Sequence, residues 1–268
     1  MATSRDHRVL VPVDVLGGEA VPEAIVETLA SVPVTLLAYR ELPDQVGTDH
    51  AREQWGDRAR GELEALADAF READCVDVRT RLVFTHDRLE TIERVAIEER
   101  CTAIALLEPA PVLESVLLAV RGDVNLEPIA AFLGGVLDGT DLTVTILHVT
   151  SGDDREQGIG VLETAADELA AAGVDRERIG TSLVVDGSPT RAILAASTDH
   201  DLLVVGESRP SVRRLVFRDR ARVLARGAVD PVLVVRGEYL SPADDAADDE
   251  NGESESRSGG DDTEAESR

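Results

Sequence analysis

The sequence predicts an α/β protein built on open parallel sheets, and three observations carry that prediction. Short apolar runs rich in Val, Leu and Ile recur along the chain, as expected of strands buried on both faces. Helical patterns alternate with these runs, which is the mark of a parallel sheet with right-handed crossovers. The order of the runs then repeats once, so the chain reads as two related halves.

The first run, residues 8–14 (RVLVPVD), is echoed at 115–121 (SVLLAVR). Residues 34–39 (VTLLAY) are echoed at 144–149 (VTILHV), 80–84 (TRLVF) at 181–185 (TSLVV), and 102–108 (TAIALLE) at 201–207 (DLLVVGE). Helical patterns follow the first run of each half at 23–31 and 126–137, the second at 50–73 and 155–172, and the third at 89–99 and 189–197. Gly17, Gly18 and Gly173 read as turn and cap glycines, and Ser188 as an N-cap before Pro189. The second half continues with a helix at 216–228 and a last strand at 231–236. The first half does not. Only PAPVL separates its fourth run from the next half, and a parallel crossover needs about a dozen residues. The expected organisation is a truncated domain over 1–112, a complete one over 113–240, and a disordered acidic tail over 241–268. The tail carries 11 Asp and Glu, two Arg and almost no large apolar residue, too little to bury a core.

Composition narrows the function. The 268 residues hold 53 Asp and Glu against 27 basic residues, all Arg, for a net charge of -26. The absence of Lys excludes a Walker A loop and lysine-based Schiff-base chemistry. The charge opposes nucleic acid as a main partner. A dense carboxylate surface without Lys suits a protein kept soluble in high salt, so a halophilic cytoplasmic protein is expected. The opening residues MATSRDHRVLVPVD lack a long apolar segment, and no apolar run approaches the ~18 residues of a membrane span. Cys75 and Cys101 have no metal-binding spacing and read as reduced packing residues. No HExxH occurs, His148 reads as a packed or capping histidine, and no metal is expected. Trp55 lies in a polar helix and is read either as a contact to the other half or as a surface aromatic.

Four stretches resemble the universal stress protein family: VPVD at 11–14, VTILHV at 144–149, DLLVVG at 201–206, and the helix followed by PVLVVR at 216–236. The likeness covers residues 7–237 as a tandem pair whose first copy is truncated. It implies Rossmann-like open sheets with strand order 3-2-1-4-5. The family's nucleotide-binding branch carries G-x2-G-x9-G-[ST] after its fourth strand. Here the first glycine is Gly206, but Arg209 and Asp219 stand at the other glycines and Arg220 at the hydroxyl position. Asp14, which ends the first strand, is replaced by Arg121 in the second half.

The residues that would face a nucleotide are therefore Asp14, Arg121, Gly206, Ser208 and Arg209. Asp14 also lies where open α/β sheets bind ligands. Residues 209–226 hold seven Arg and one Asp, and Arg213 and Arg214 are candidates for an anion or partner contact. With the motif degraded, the resemblance implies a non-catalytic stress or regulatory module without a required cofactor. It would act through protein contacts, with a small ligand or a transporter among the partners. An ATP-binding protein with slow ATPase activity is the alternative. The strand at 102–108 leaves an open edge, so the halves are expected to pair as a pseudo-dimer, with 109–113 or 231–236 near that edge. A homodimer through 232–235 is the other possibility that the resemblance implies.

Overall fold

The computed structural model describes residues 7–107, 112–120, 122, 126–150, 154–207 and 231–236. Its strands are β1 (Val9–Val13), β2 (Val34–Glu41), β3 (Val78–Thr85), β4 (Ala103–Leu106), β5 (Ser115–Val120), β6 (Thr143–Thr150), β7 (Ile179–Val185), β8 (Leu202–Glu207) and β9 (Val232–Arg236). The helices are α1 (Glu23–Leu29), α2 (Thr48–Glu72), α3 (Arg88–Glu98), α4 (Leu126–Leu137), α5 (Arg155–Ala171) and α6 (Pro189–Ser197). The helix expected at 216–228 and the acidic tail lie outside the described residues.

All nine strands join one open sheet in the order β3-β2-β1-β4-β9-β8-β5-β6-β7. Every neighbouring pair is parallel except one: β9 runs antiparallel to β4, with Ala103 opposite Val235 and Leu106 opposite Val232. The sequence predicts two sheets, but the chain builds one. The edge that the short first half leaves on β4 is hydrogen-bonded by the last strand of the second half. β9 also pairs with β8 in parallel. Both of its edges are thus used within the chain, which removes the free edge that a homodimer through 232–235 would need.

The strands alternate their side chains between two helical layers. Val9, Val11 and Val13 face α1, α2, α4 and α5 in the larger core. Leu10 and Leu37 face the opposite side, where Ile92, Val95 and Ala96 of α3 and Ile193 and Ala196 of α6 complete a second core. α4 and α5 come unusually close at Gly134, where an added Cβ would lie 2.6 Å from the Ala172 carbonyl oxygen. Gly18 and Gly173 adopt φ of +82° and +100° at turns that other residues enter only with strain. Ser188 occupies the N-cap position of α6 without a side-chain cap bond. Asp186 fixes the backbone just before the helix, accepting from the Ser188 N–H at 2.7 Å.

The entry to the second half is held by one carboxylate. Asp201 Oδ2 accepts from the Glu114 N–H at 3.0 Å, the Ser115 N–H at 2.9 Å and the Ser115 hydroxyl at 2.8 Å. Partial burial alone would raise the Asp201 pKa, but these hydrogen bonds outweigh it and hold the carboxyl below its ordinary value. A depressed carboxyl adds stability above its unfolded pKa and loses it as pH falls through the folded value. Asp201→Ala is therefore expected to cost about 2 kcal/mol at neutral pH, discounted for exposure. The deficit should shrink in acid, once the wild-type carboxyl is protonated. Thermal melts of both proteins across the acid range check this, and a deficit independent of pH would contradict it.

Candidate functional site

Open α/β sheets bind ligands beyond the carboxyl ends of their strands, where neighbouring strands diverge. In the first half that place lies between β1 and β4. Their pairing covers only Val9–Ala103 and Leu10–Ile104. Pro12 explains why it stops. The Val9 N–H donates to Pro33 on the β2 side, and donors alternate along a strand, so the position of Pro12 faces β4. Lacking an N–H, Pro12 ends the ladder there and opens a cleft. Pro12, Glu19, Tyr39, Arg88, Ile92 and Leu106 line it, together with Leu107.

Asp14 follows β1 directly and is bound by its own loop. Its Oδ1 accepts from the Gly17 N–H at 2.9 Å, and its Oδ2 accepts from Arg40 Nη1 at 2.9 Å. A Cβ on Gly17 would lie 2.7 Å from Oδ2, so the turn needs a glycine. The Asp14 N–H in turn donates to Glu19 Oε2 at 2.7 Å. Deeper in, the Arg88 guanidinium interacts with the Tyr39 hydroxyl. Burial, with the Glu19 carboxylate beside it, raises the Tyr39 phenol above its ordinary pKa. Burial opposes the charge on Arg88, but Tyr39 and the carboxylates of Glu41 and Glu19 outweigh it and raise its pKa. Arg40 thus pairs with Asp14, Arg88 is bound to Tyr39 in the field of Glu41 and Glu19, and the cleft keeps a volume of about 30 Å³. Small-molecule sites usually offer roughly 300–1,000 Å³.

A small outer core closes over the same end. Leu42, Ala51, Ala59 and Phe84 bury one another, with Val15, Leu16, Val46 and Trp55 packed against them. The first two turns of α2 supply Ala51 and Trp55. Among the described residues, Trp55 packs against this outer core of the first half, as do Val15 and Leu16 of the loop that follows β1.

In the second half, Gly206 lies at the end of β8. A Cβ there would collide with Ile129 Cδ1 of α4, so this glycine admits helix packing. His148 Nδ1 lies 3.1 Å from the Val120 carbonyl oxygen, with its ring beside Gly158. Arg121, Ser208, Arg209, Arg213 and Arg214 lie outside the described residues. Of the residues singled out in the sequence, the structure places Asp14 and Gly206, in different halves. Sequence reasoning missed Glu19, Tyr39, Arg40 and Arg88. Arg40 carried a usable signal: like Asp14, it is a charged residue at the end of an apolar run. Burial pushes the Cys101 thiol up to about 11 and also raises Cys75, in keeping with unreactive packing residues. Among the described residues, no helix is long and apolar enough to cross a membrane.

No family model and no curated protein matches the sequence. Solved structures do match. A universal stress protein from Archaeoglobus fulgidus DSM 4304 aligns with a TM-score of 0.57 at 15% identity, covering 88% of this chain and 98% of that one. A universal stress protein in complex with cAMP aligns over 47% of this chain and 98% of its own, at 26% identity and a TM-score of 0.37. A universal stress protein from Archaeoglobus fulgidus in complex with dAMP covers 46% of this chain and 97% of its own, at 20% identity and a TM-score of 0.34. The first of these alignments, spanning nearly the whole of both chains, shows that this chain has the universal stress protein fold.

Proposed function

We propose that the chain is a non-catalytic regulatory module of the universal stress type, acting through protein contacts in the cytoplasm of a cell with high internal salt. One observation carries this reading. At the place where the fold would accept a ligand in the first half, Asp14, Arg40, Glu19, Tyr39 and Arg88 are engaged with one another and leave about 30 Å³. A nucleotide would have to break the Asp14–Arg40 pair and meet the carboxylates of Asp14 and Glu19 with its own negative charge. At about 4 Å and an effective dielectric of ~20, each such repulsion is roughly 4 kcal/mol.

Calorimetric titration with Mg-ATP in molar KCl tests the reading. The expected result is no binding tighter than millimolar and no release of phosphate. Micromolar affinity with turnover would replace this reading with the ATP-binding one. Nucleotide identified by mass spectrometry in the denatured, freshly purified protein would do the same. Gly206→Val is not a clean probe here, because it also disturbs Ile129.

A further inference from the structure

The two outer edges of the sheet are built differently. On β3, Arg79 and Arg81 stand on the edge strand, Arg79 paired with Asp77 and Glu99 and Arg81 with Glu98 and Glu99. Charges so placed are a usual way to keep an edge from pairing with another chain. β7 has none. Its seven residues, IGTSLVV, are uncharged in a chain of net charge -26. Val185 at its end is 51% exposed. Among the described residues, nothing pairs with its outer side.

The charges that bound this neutral stretch have a direction. Arg178 precedes it and is held in place by donating to the Leu142 carbonyl at 2.8 Å through Nε. Asp186 follows it, accepting from Arg191 at 2.8 Å. If the strand pairs antiparallel with an identical strand about its middle residue, Ser182, then Arg178 of each copy stands across from Asp186 of the other. The same register sets the exposed Val185 against Ile179 and places Ser182 opposite itself. Parallel pairing would instead set Arg178 beside Arg178. Ends of opposite sign at equal distance from the centre are the pattern of a self-complementary, two-fold interface, and rim charges of this kind fix register more than strength.

We propose that β7 is a docking edge for a second copy of this chain, joined antiparallel about Ser182 so that two nine-stranded sheets become continuous. The ladder hydrogen bonds supply the attachment, as in other strand-addition interfaces. Molar salt screens the repulsion between two acidic molecules and permits the approach.

Sedimentation in molar KCl at high micromolar protein should show a reversible dimer for the intact chain. Ser182→Glu and Ser182→Arg each place two like charges across the two-fold axis, and each should weaken the dimer roughly a hundredfold. Mixing the two variants should restore a dimer made of one of each. In the wild type, amides of residues 179–185 should exchange more slowly at high protein concentration than when dilute. This last measurement does not depend on any variant folding. A monomeric wild type, a dimer that survives both substitutions, a mixture that stays monomeric, or β7 exchange that ignores concentration would each overturn the proposal.

Discussion

Val234→Asp is expected to leave the protein without a cooperative folded state. Val234 is 1% exposed and lies in β9, opposite Ile104 of β4 on one side and Val205 of β8 on the other. Its side chain sits in the core shared with Ile104, Leu106, Leu203 and Val205. A carboxylate placed there would lie among the apolar side chains of this core, and an unpaired buried charge costs several kcal/mol even after relaxation. Folded domains have only about 5–15 kcal/mol to lose. Val234→Ala removes the same methyl groups without adding charge and is expected to cost about 2 kcal/mol, a drop of roughly 4–8 °C. The difference between the two variants isolates the charge. Because β9 lies between β4 and β8 and pairs with both, calorimetry of the wild type should show the two halves melting in one transition. A folded Val234→Asp protein with a melt close to that of Val234→Ala would contradict the burial of this strand. Two well-separated wild-type transitions would contradict the continuity of the sheet.

The elements were legible in the sequence because buried parallel strands leave a strong local signature. The expected helix at 50–73 and the observed α2 (Thr48–Glu72) differ by two residues at one end and one at the other, since the end of a helix is set by capping and fraying rather than by periodicity. The missing crossover after 102–108 was also legible, because chain length alone forbids a parallel return. The partner of β4 was legible only as one of two segments, 109–113 or 231–236: antiparallel pairing with β9 joins residues more than a hundred positions apart, and nothing local encodes its register or direction. The site divided in the same way. Asp14 stands out because a carboxylate ends an apolar run. Its engagement by Arg40, and that of Tyr39 by Arg88, depends on how β1, β2 and the start of α3 converge, which only the register of the sheet reveals. Pro12 looks misplaced in a central strand until the β1–β4 ladder is seen to end at Leu10. Gly206 shows what a local reading leaves out: a glycine at a strand end suggests phosphate, and the structure adds that a Cβ there would meet Ile129 of α4.

Melting temperature should rise steeply with KCl. The chain has 53 carboxylates and 27 arginines, so about half of the acidic groups lack a cation even if every arginine is paired. The described ion pairs are mostly local and exposed, such as Arg52 with Asp49 and Arg94 with Glu98. Such pairs contribute at most about 1 kcal/mol each, and salt weakens them. Self-repulsion of the unpaired carboxylates acts in the opposite direction, over the whole surface, and disfavours the compact state. Raising the salt from about 0.1 M to about 1 M shortens the screening length from roughly 10 Å to roughly 3 Å, shorter than most spacings between surface charges. Relief of repulsion should therefore exceed the loss of the local pairs. A gain of about 3 kcal/mol corresponds to roughly 6–12 °C for a folded unit of this size. Sodium chloride should act like KCl at equal ionic strength, since the effect needs no specific ion site. Thermal melts at several concentrations of both salts measure this directly. A melting temperature that stays level or falls between low and molar salt would show that the acidic surface is not an adaptation to salt.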